Sequence, residues 1–169
     1  MEHRLTYSAV APQGIQALLG IEGYVRGAGL EPGLLHLLKT RASQINRCAY
    51  CIDMHTKDAR AGGETEQRLY ALSAWRETPF FSERERAALA WTEAITLISH
   101  GSVPDALYEE ARRHFSEKEL VDLTLGLIAI NGWNRLAVAF RTEPGSYRAQ
   151  THEVKDAAPR ARDQATKRT

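Results

Sequence analysis

Apolar residues recur every three to four positions along most of this chain, the spacing of one buried helix face. Residues 13–26 carry Ile15, Leu18, Leu19, Ile21 and Tyr24 in that rhythm, until Gly27, Gly29 and Pro32 interrupt it. Residues 33–46 repeat it with Leu34, Leu35, Leu37, Leu38, Ala42 and Ile45. A helix over 49–61 follows, stopped by Gly62-Gly63, and another over 65–75 places Leu69, Leu72 and Trp75 on one face. Thr78-Pro79 marks a turn.

Start signals are plain farther on. Ser82-Glu83-Arg84-Glu85 and Ser116-Glu117-Lys118-Glu119 both have the capping-box form, in which Ser and Glu satisfy each other's backbone N–H. The first opens a helix to about Ser99 and the second one to about Phe140, with a short helix from Pro104 to Arg113 between them. No strand-like alternation of useful length competes. The pattern predicts an all-α compact helical bundle of about six to seven helices.

The last of these helices is apolar almost all round, from Leu120, Val121 and Leu123 through Leu127, Ile128 and Ile130 to Trp133, Leu136 and Val138. Such a helix is central in a bundle or covered by another subunit. A chain this small has difficulty surrounding it, so a homo-oligomer is expected. Residues 1–145 are read as the helical domain. The polar stretch 146–169, with Pro159 and mixed charges, is read as a disordered tail.

Composition narrows the function classes. The 169 residues are 43% hydrophobic and 25% charged, ordinary for a globular protein with a core of its own. A net charge of +1 gives no field that would favour nucleic acid or an anionic membrane surface. The first residues lack the pattern of a signal peptide. The uncharged run Leu123–Asn134 is shorter than the roughly 20 residues a membrane span needs. A cytoplasmic location is expected, with no nucleic-acid or membrane partner.

Against that background the two cysteines stand out. They are the only ones, and they form Cys48-Ala49-Tyr50-Cys51, with His55 four residues on. In a reducing compartment such a pair points to redox chemistry, sensing or metal binding rather than a structural disulfide. If Cys48 is the N-cap of the following helix, Cys51 and His55 are i and i+4 on one face. The free N–H groups there favour a thiolate, and His55 offers a proton acceptor. Helix-terminus physics alone favours the first, more exposed cysteine as nucleophile; the placement of His55 favours Cys51. A buried apolar pair and a zinc site of Cys48, Cys51, His55 and His36 are the alternatives, although the second ligand pair of an ordinary structural zinc site is missing.

These residues carry a resemblance. Arg41-Ala-Ser-Gln-Ile-Asn-Arg-Cys-Ala-Tyr-Cys-Ile-Asp-Met-His55 resembles the core of the alkyl hydroperoxidase D-like proteins of the carboxymuconolactone decarboxylase superfamily. The likeness continues through Gly63–Tyr70, Glu83–Glu93 and Asn131–Arg135, and spans roughly residues 10–142. The resemblance implies an all-helical fold assembled as a trimer or hexamer. It implies a peroxidase in which Cys51 attacks a hydroperoxide, Cys48 resolves the sulfenic acid to a disulfide, and His55 activates Cys51. No bound cofactor is implied. The electron donor is an external dithiol, a lipoyl group on a partner protein in the best-known member, or a thioredoxin-like protein.

Two positions depart from the family pattern. The glutamate that the family places twelve residues before the first cysteine is His36 here, and an imidazole can also relay protons. The residue before the second cysteine, a histidine in the best-known member, is Tyr50, whose hydroxyl can still donate. Glu93 is expected to form a structural salt bridge, with Arg135 as the suggested partner. Asn131 and Asn134 are expected to satisfy partners near the last helix. Trp75, Trp91 and Trp133 are expected in the core or an interface. The function expected is thiol-dependent reduction of hydroperoxides. The alternatives are a general disulfide reductase or redox sensor, a carboxymuconolactone decarboxylase-type lyase, which would need no thiol pair, and a zinc-binding structural oligomer.

Overall fold

A computed structural model of the chain describes residues 2–149. Among them are eight α-helices and no strand: α1 (Tyr7–Val10), α2 (Pro12–Gly27), α3 (Pro32–Ile45), α4 (Ala49–Ala61), α5 (Glu66–Ala71), α6 (Glu83–Thr96), α7 (Asp105–His114) and α8 (Glu117–Phe140). The all-α expectation holds. The one-turn α1 is the helix beyond the expected six to seven, too short to show a periodicity. The expected tail lies outside the described residues from position 150 onward.

Local signals set most of the boundaries. Both capping boxes form: Ser82 Oγ accepts from the Glu85 N–H at 3.3 Å while Glu85 accepts from the Ser82 N–H at 2.8 Å. Ser116 and Glu119 repeat the exchange at 3.2 and 2.8 Å. α4 ends at Ala61, where Gly63 takes φ +93, a conformation that glycine adopts without steric penalty. The stretch 65–75 is not one helix. α5 stops at Ala71, and a 3₁₀ segment, Leu72–Glu77, continues with a kink at Ala74 (φ −119, ψ 32) that turns Trp75 into the core. α6 likewise ends at Thr96, before a 3₁₀ turn at Ile98–His100.

α3 is the hub, packed on α4, α6 and α8. Its Leu37 and Leu38 are fully buried, as are Leu72, Leu89, Leu123, Leu127 and Ile130 from the surrounding helices. Each such side chain contributes about 1.5–3 kcal/mol through burial. α8 packs against α2, α3, α4, α6 and α7. Gly126 lets α8 approach α2 closely, since a Cβ there would lie 3.3 Å from Val25 Cγ1. By length and composition α8 could cross a membrane; in this fold it packs along the bundle with 44% of that apolar stretch buried. Its outer face keeps Val121, Ile128 and Val138 exposed.

Glu93 does form a structural ion pair, but not with Arg135. It accepts from Arg41 Nε at 2.8 Å, from Trp75 Nε1 at 2.9 Å and from Arg76 Nη1. Because α3 and the 3₁₀ segment Leu72–Glu77 both lie beside Glu93, Arg41 and Arg76 are the arginines within reach. Arg135 folds back on its own helix and donates to the Asn131 carbonyl at 2.8 Å. Trp75 and Trp91 are core residues, and Trp133 packs half-buried against the core.

Candidate functional site at the α3–α4 corner

The corner between α3 and α4 is built by adjacent residues. Arg47 takes the left-handed conformation at φ 56. The Arg47 N–H donates to the Gln44 carbonyl at 3.2 Å and the Cys48 N–H to the Ser43 carbonyl at 3.0 Å, the two closing bonds of a Schellman motif. Cys48 is then extended (φ −89, ψ 95) and caps α4, its Sγ accepting from the Cys51 N–H at 3.4 Å. Cys48 therefore ends one helix with its N–H and begins the next with its sulfur.

The cap brings the thiols together. Both cysteines are free, their Sγ atoms are 2.8 Å apart, and each is 1% exposed. Exposure does not separate them, contrary to the expectation that the first would be the more open. Their acidities do differ. The Cys48 thiol falls to about 7, chiefly because Cys51 hydrogen-bonds its thiolate, with the Cys51 and Tyr50 N–H groups and the Asn134 amide adding to this against the cost of burial. Cys51 is pushed up by donating that hydrogen bond, by burial and by the charge on Cys48. Cys48 is thus the more acidic thiol of the pair and Cys51 the less acidic.

Asn134 is the site residue the sequence reading did not assign to the thiols. It is 1% exposed in the apolar α8. Its Nδ2 donates to Ser43 Oγ at 3.0 Å, and its Oδ1 accepts from Asn46 Nδ2 at 2.8 Å. Asn46 also donates to Asn131 Oδ1 at 2.9 Å, so the amides tie α8 to the corner. Both asparagines are satisfied, as expected. An amide inside an otherwise apolar helix was the available signal, since a buried polar group needs partners.

His55 lies one turn after Cys51, yet no hydrogen bond joins the two. Its ring is buried at 6% exposure, and neither ring nitrogen has a hydrogen-bond partner among the described residues. Desolvation, with help from the Lys39 charge and His36, lowers its pKa to about 3 and keeps it neutral. The ring faces His36, 6.5 Å away between centroids. His36 is half-buried on α3, and its pKa is lowered by burial against the raising influence of Asp58. Asp58, one turn beyond His55, accepts from the Tyr147 hydroxyl at 2.7 Å. Tyr50 packs half-buried against the core, and burial raises its hydroxyl pKa.

The structure thus gathers two adjoining groups: the paired sulfurs with Asn134, and His36 with His55 and Asp58. The expected contact between Cys51 and His55 is not formed. Asp58 could have been suspected from its i+3 spacing to His55. Tyr147 carries no local signal, because it reaches α4 from 89 residues away along the chain.

The chain matches the carboxymuconolactone decarboxylase family over residues 12–94. It is 45% identical over 146 residues to the uncharacterized protein YdfG of Bacillus subtilis (strain 168), covering 86% of this chain and 99% of that one. Among solved structures, ATU0492 from Agrobacterium tumefaciens superposes with a TM-score of 0.83 at 43% identity, over 86% of this chain and 100% of that one. That protein is described as of unknown function and proposed as an antioxidant defence protein, AhpD. The alkylhydroperoxidase AhpD core of a peroxidase-related protein from Ralstonia eutropha JMP134 shares the fold, with a TM-score of 0.73 at 21% identity over 83% of this chain and 75% of that one. On fold and sequence together, the chain belongs to the carboxymuconolactone decarboxylase family, as an alkyl hydroperoxidase D-like member.

Proposed function

We propose that this protein is a thiol peroxidase that reduces hydroperoxides through Cys48 and Cys51. The observation that carries the reading is the reduced sulfur pair, 2.8 Å apart at the start of α4, with a thiolate near neutrality on Cys48. The family likeness and the antioxidant role proposed for the similar Agrobacterium protein support the same class of chemistry.

The Cys48 thiolate takes the proton of Cys51 across their hydrogen bond, leaving a Cys51 thiolate. Cys51 attacks the terminal oxygen of the hydroperoxide; an S–O bond forms, the O–O bond breaks, and the alkoxide leaves as the alcohol with the proton now on Cys48, which returns Cys48 to the thiolate. The Cys48 thiolate then attacks the Cys51 sulfenic acid, forming the disulfide and expelling hydroxide, which takes a proton from solvent to leave as water. An external dithiol, lipoyl or thioredoxin-like, exchanges with that disulfide and restores both thiols. In this scheme the neutral His55, with His36 beyond it, is the proton acceptor held in reserve, and Tyr50 is a donor at the rim.

The exposed apolar positions Val121 and Ile128 of α8 support self-association as part of the same reading. A second reading, general disulfide exchange, is favoured by the lowered pKa of Cys48, the first cysteine of the pair. The deciding experiment is stopped-flow oxidation of Cys48→Ser and Cys51→Ser by hydroperoxides, with dimedone trapping of sulfenic acid. The peroxidase reading expects trapped Cys51 in Cys48→Ser and no fast reaction in Cys51→Ser. Trapping on Cys48 would reverse the roles, and no fast reaction in the wild type would leave disulfide exchange.

A further inference from the structure

The geometry points to a second site beside the thiols: we propose that His36, His55 and Asp58 bind one divalent transition-metal ion, zinc by their chemistry, without either cysteine. Each of the three offers one donor atom, and these atoms all lie within 4.8 Å of one another. Among the described residues this is the cluster of His, Cys, Asp and Glu side chains with that convergence, and it excludes both sulfurs. The donors come from two packed helices, His36 from α3 and the i, i+3 pair His55 and Asp58 from α4. Two imidazoles and a carboxylate suit zinc, with bonds of about 2.0–2.2 Å and a position left open. Tetrahedral zinc spaces its ligands roughly 3.3 Å apart, so the donors need draw in by about an ångström or so, within reach of side-chain rotation.

A second, independent observation points to a ligand. His55 is almost wholly buried, yet among the described residues neither of its ring nitrogens finds a partner, and the buried Nδ1 of His36 beside it finds none either. Buried polar atoms are ordinarily hydrogen-bonded, and leaving one unmade costs about 1–3 kcal/mol. An ion held by both rings would engage one nitrogen of each. Asp58 supplies the negative charge and is already oriented by the Tyr147 hydroxyl at 2.7 Å, the arrangement that second-shell partners give to metal-binding carboxylates. His36 and Asp58 are partly exposed, which provides a way in from solvent. The charges facing the site from α2 and α3 are Arg26 and Lys39, and Lys39 is held by Glu22 at 2.5 Å, which offsets its repulsion.

The zinc site conceived from sequence used Cys48, Cys51, His55 and His36; the structure keeps the sulfurs with each other and substitutes Asp58. One consequence rests on the peroxidase reading: an ion here occupies the lone pair with which His55 would receive a proton, so metal loading and thiol turnover would compete.

The test uses the full chain carrying Cys48→Ser and Cys51→Ser together, titrated with zinc against a chromophoric chelator and with cobalt(II) by absorption. The expected result is one ion per chain, a cobalt spectrum without the intense sulfur charge-transfer band, and zinc affinity weakened at least about tenfold by Asp58→Asn or His36→Gln. Tyr147→Phe, which leaves all ligands in place, should weaken binding less while the circular dichroism spectrum stays that of the parent. Failure of the thiol-free protein to bind zinc, or unchanged affinity in a folded Asp58→Asn, overturns the site. Peroxide oxidation of the metal-free wild type is read separately, so either idea can fail without the other.

Discussion

The Sγ atoms of Cys48 and Cys51 lie 2.8 Å apart at the first turn of α4, and the hydrogen bond between them makes their acidities unequal. It follows that Cys51→Ala should raise the Cys48 pKa from about 7 toward the ordinary thiol value near 9. The check is the pH dependence of alkylation by iodoacetamide. An unchanged midpoint would mean that the helix N-terminus alone, not the neighbouring thiol, sets the acidity.

Burial of His55 ties stability to pH. Its folded pKa of about 3 lies below the ordinary 6.5, so below pH 6.5 the unfolded chain takes up a proton that the folded chain refuses. The unfolded state is then favoured, and stability is lost as pH falls from 6.5 toward 3. Half-buried His36, lowered in the same direction, adds to the loss. With chelator present, His55→Gln should flatten this acid limb in urea titrations. A limb as steep as in the wild type would assign the effect elsewhere.

The corner residue Arg47 holds a left-handed conformation that suits glycine better. Arg47→Gly should leave stability unchanged or raise it by up to about 1 kcal/mol, since the relief is partly offset by the greater freedom of glycine when unfolded. Arg47→Val should lower it by about 1–2 kcal/mol and disturb thiol acidity as well. Urea midpoints with alkylation rates separate these outcomes.

Ile128 stands half-exposed on the outer face of α8 with Val121 one heptad before it. Ile128→Glu should reduce the mass seen by light scattering while the helical content is kept. A monomeric wild type, or an unaltered mass in the variant, would place any self-association on another face.

What was legible in the sequence was local. Capping boxes, the Gly62-Gly63 stop and the cap at Cys48 depend on residues within a few positions of one another, and all are found. Partners across the fold were not legible. Glu93 had several arginines to choose from, and only the packing around α6 selects Arg41 from α3 and Arg76 from the 3₁₀ segment. The i, i+4 spacing placed Cys51 and His55 on one face, but it could not say where the imidazole turns. It faces His36 on α3 rather than the sulfur. Asn134 and Tyr147 reach the site from α8 and from beyond it, over separations that no periodicity encodes.

The cap of α4 is a sulfur, and its strength depends on its charge. A Cys48 thiolate accepts the Cys51 N–H more strongly than a neutral sulfur can. Oxidation of the pair would remove that charge and loosen the first turn of the helix. The amide of Cys51 is thus a built-in gauge of redox state, and its hydrogen-exchange rate should quicken on oxidation while amides deep in α4 keep their protection.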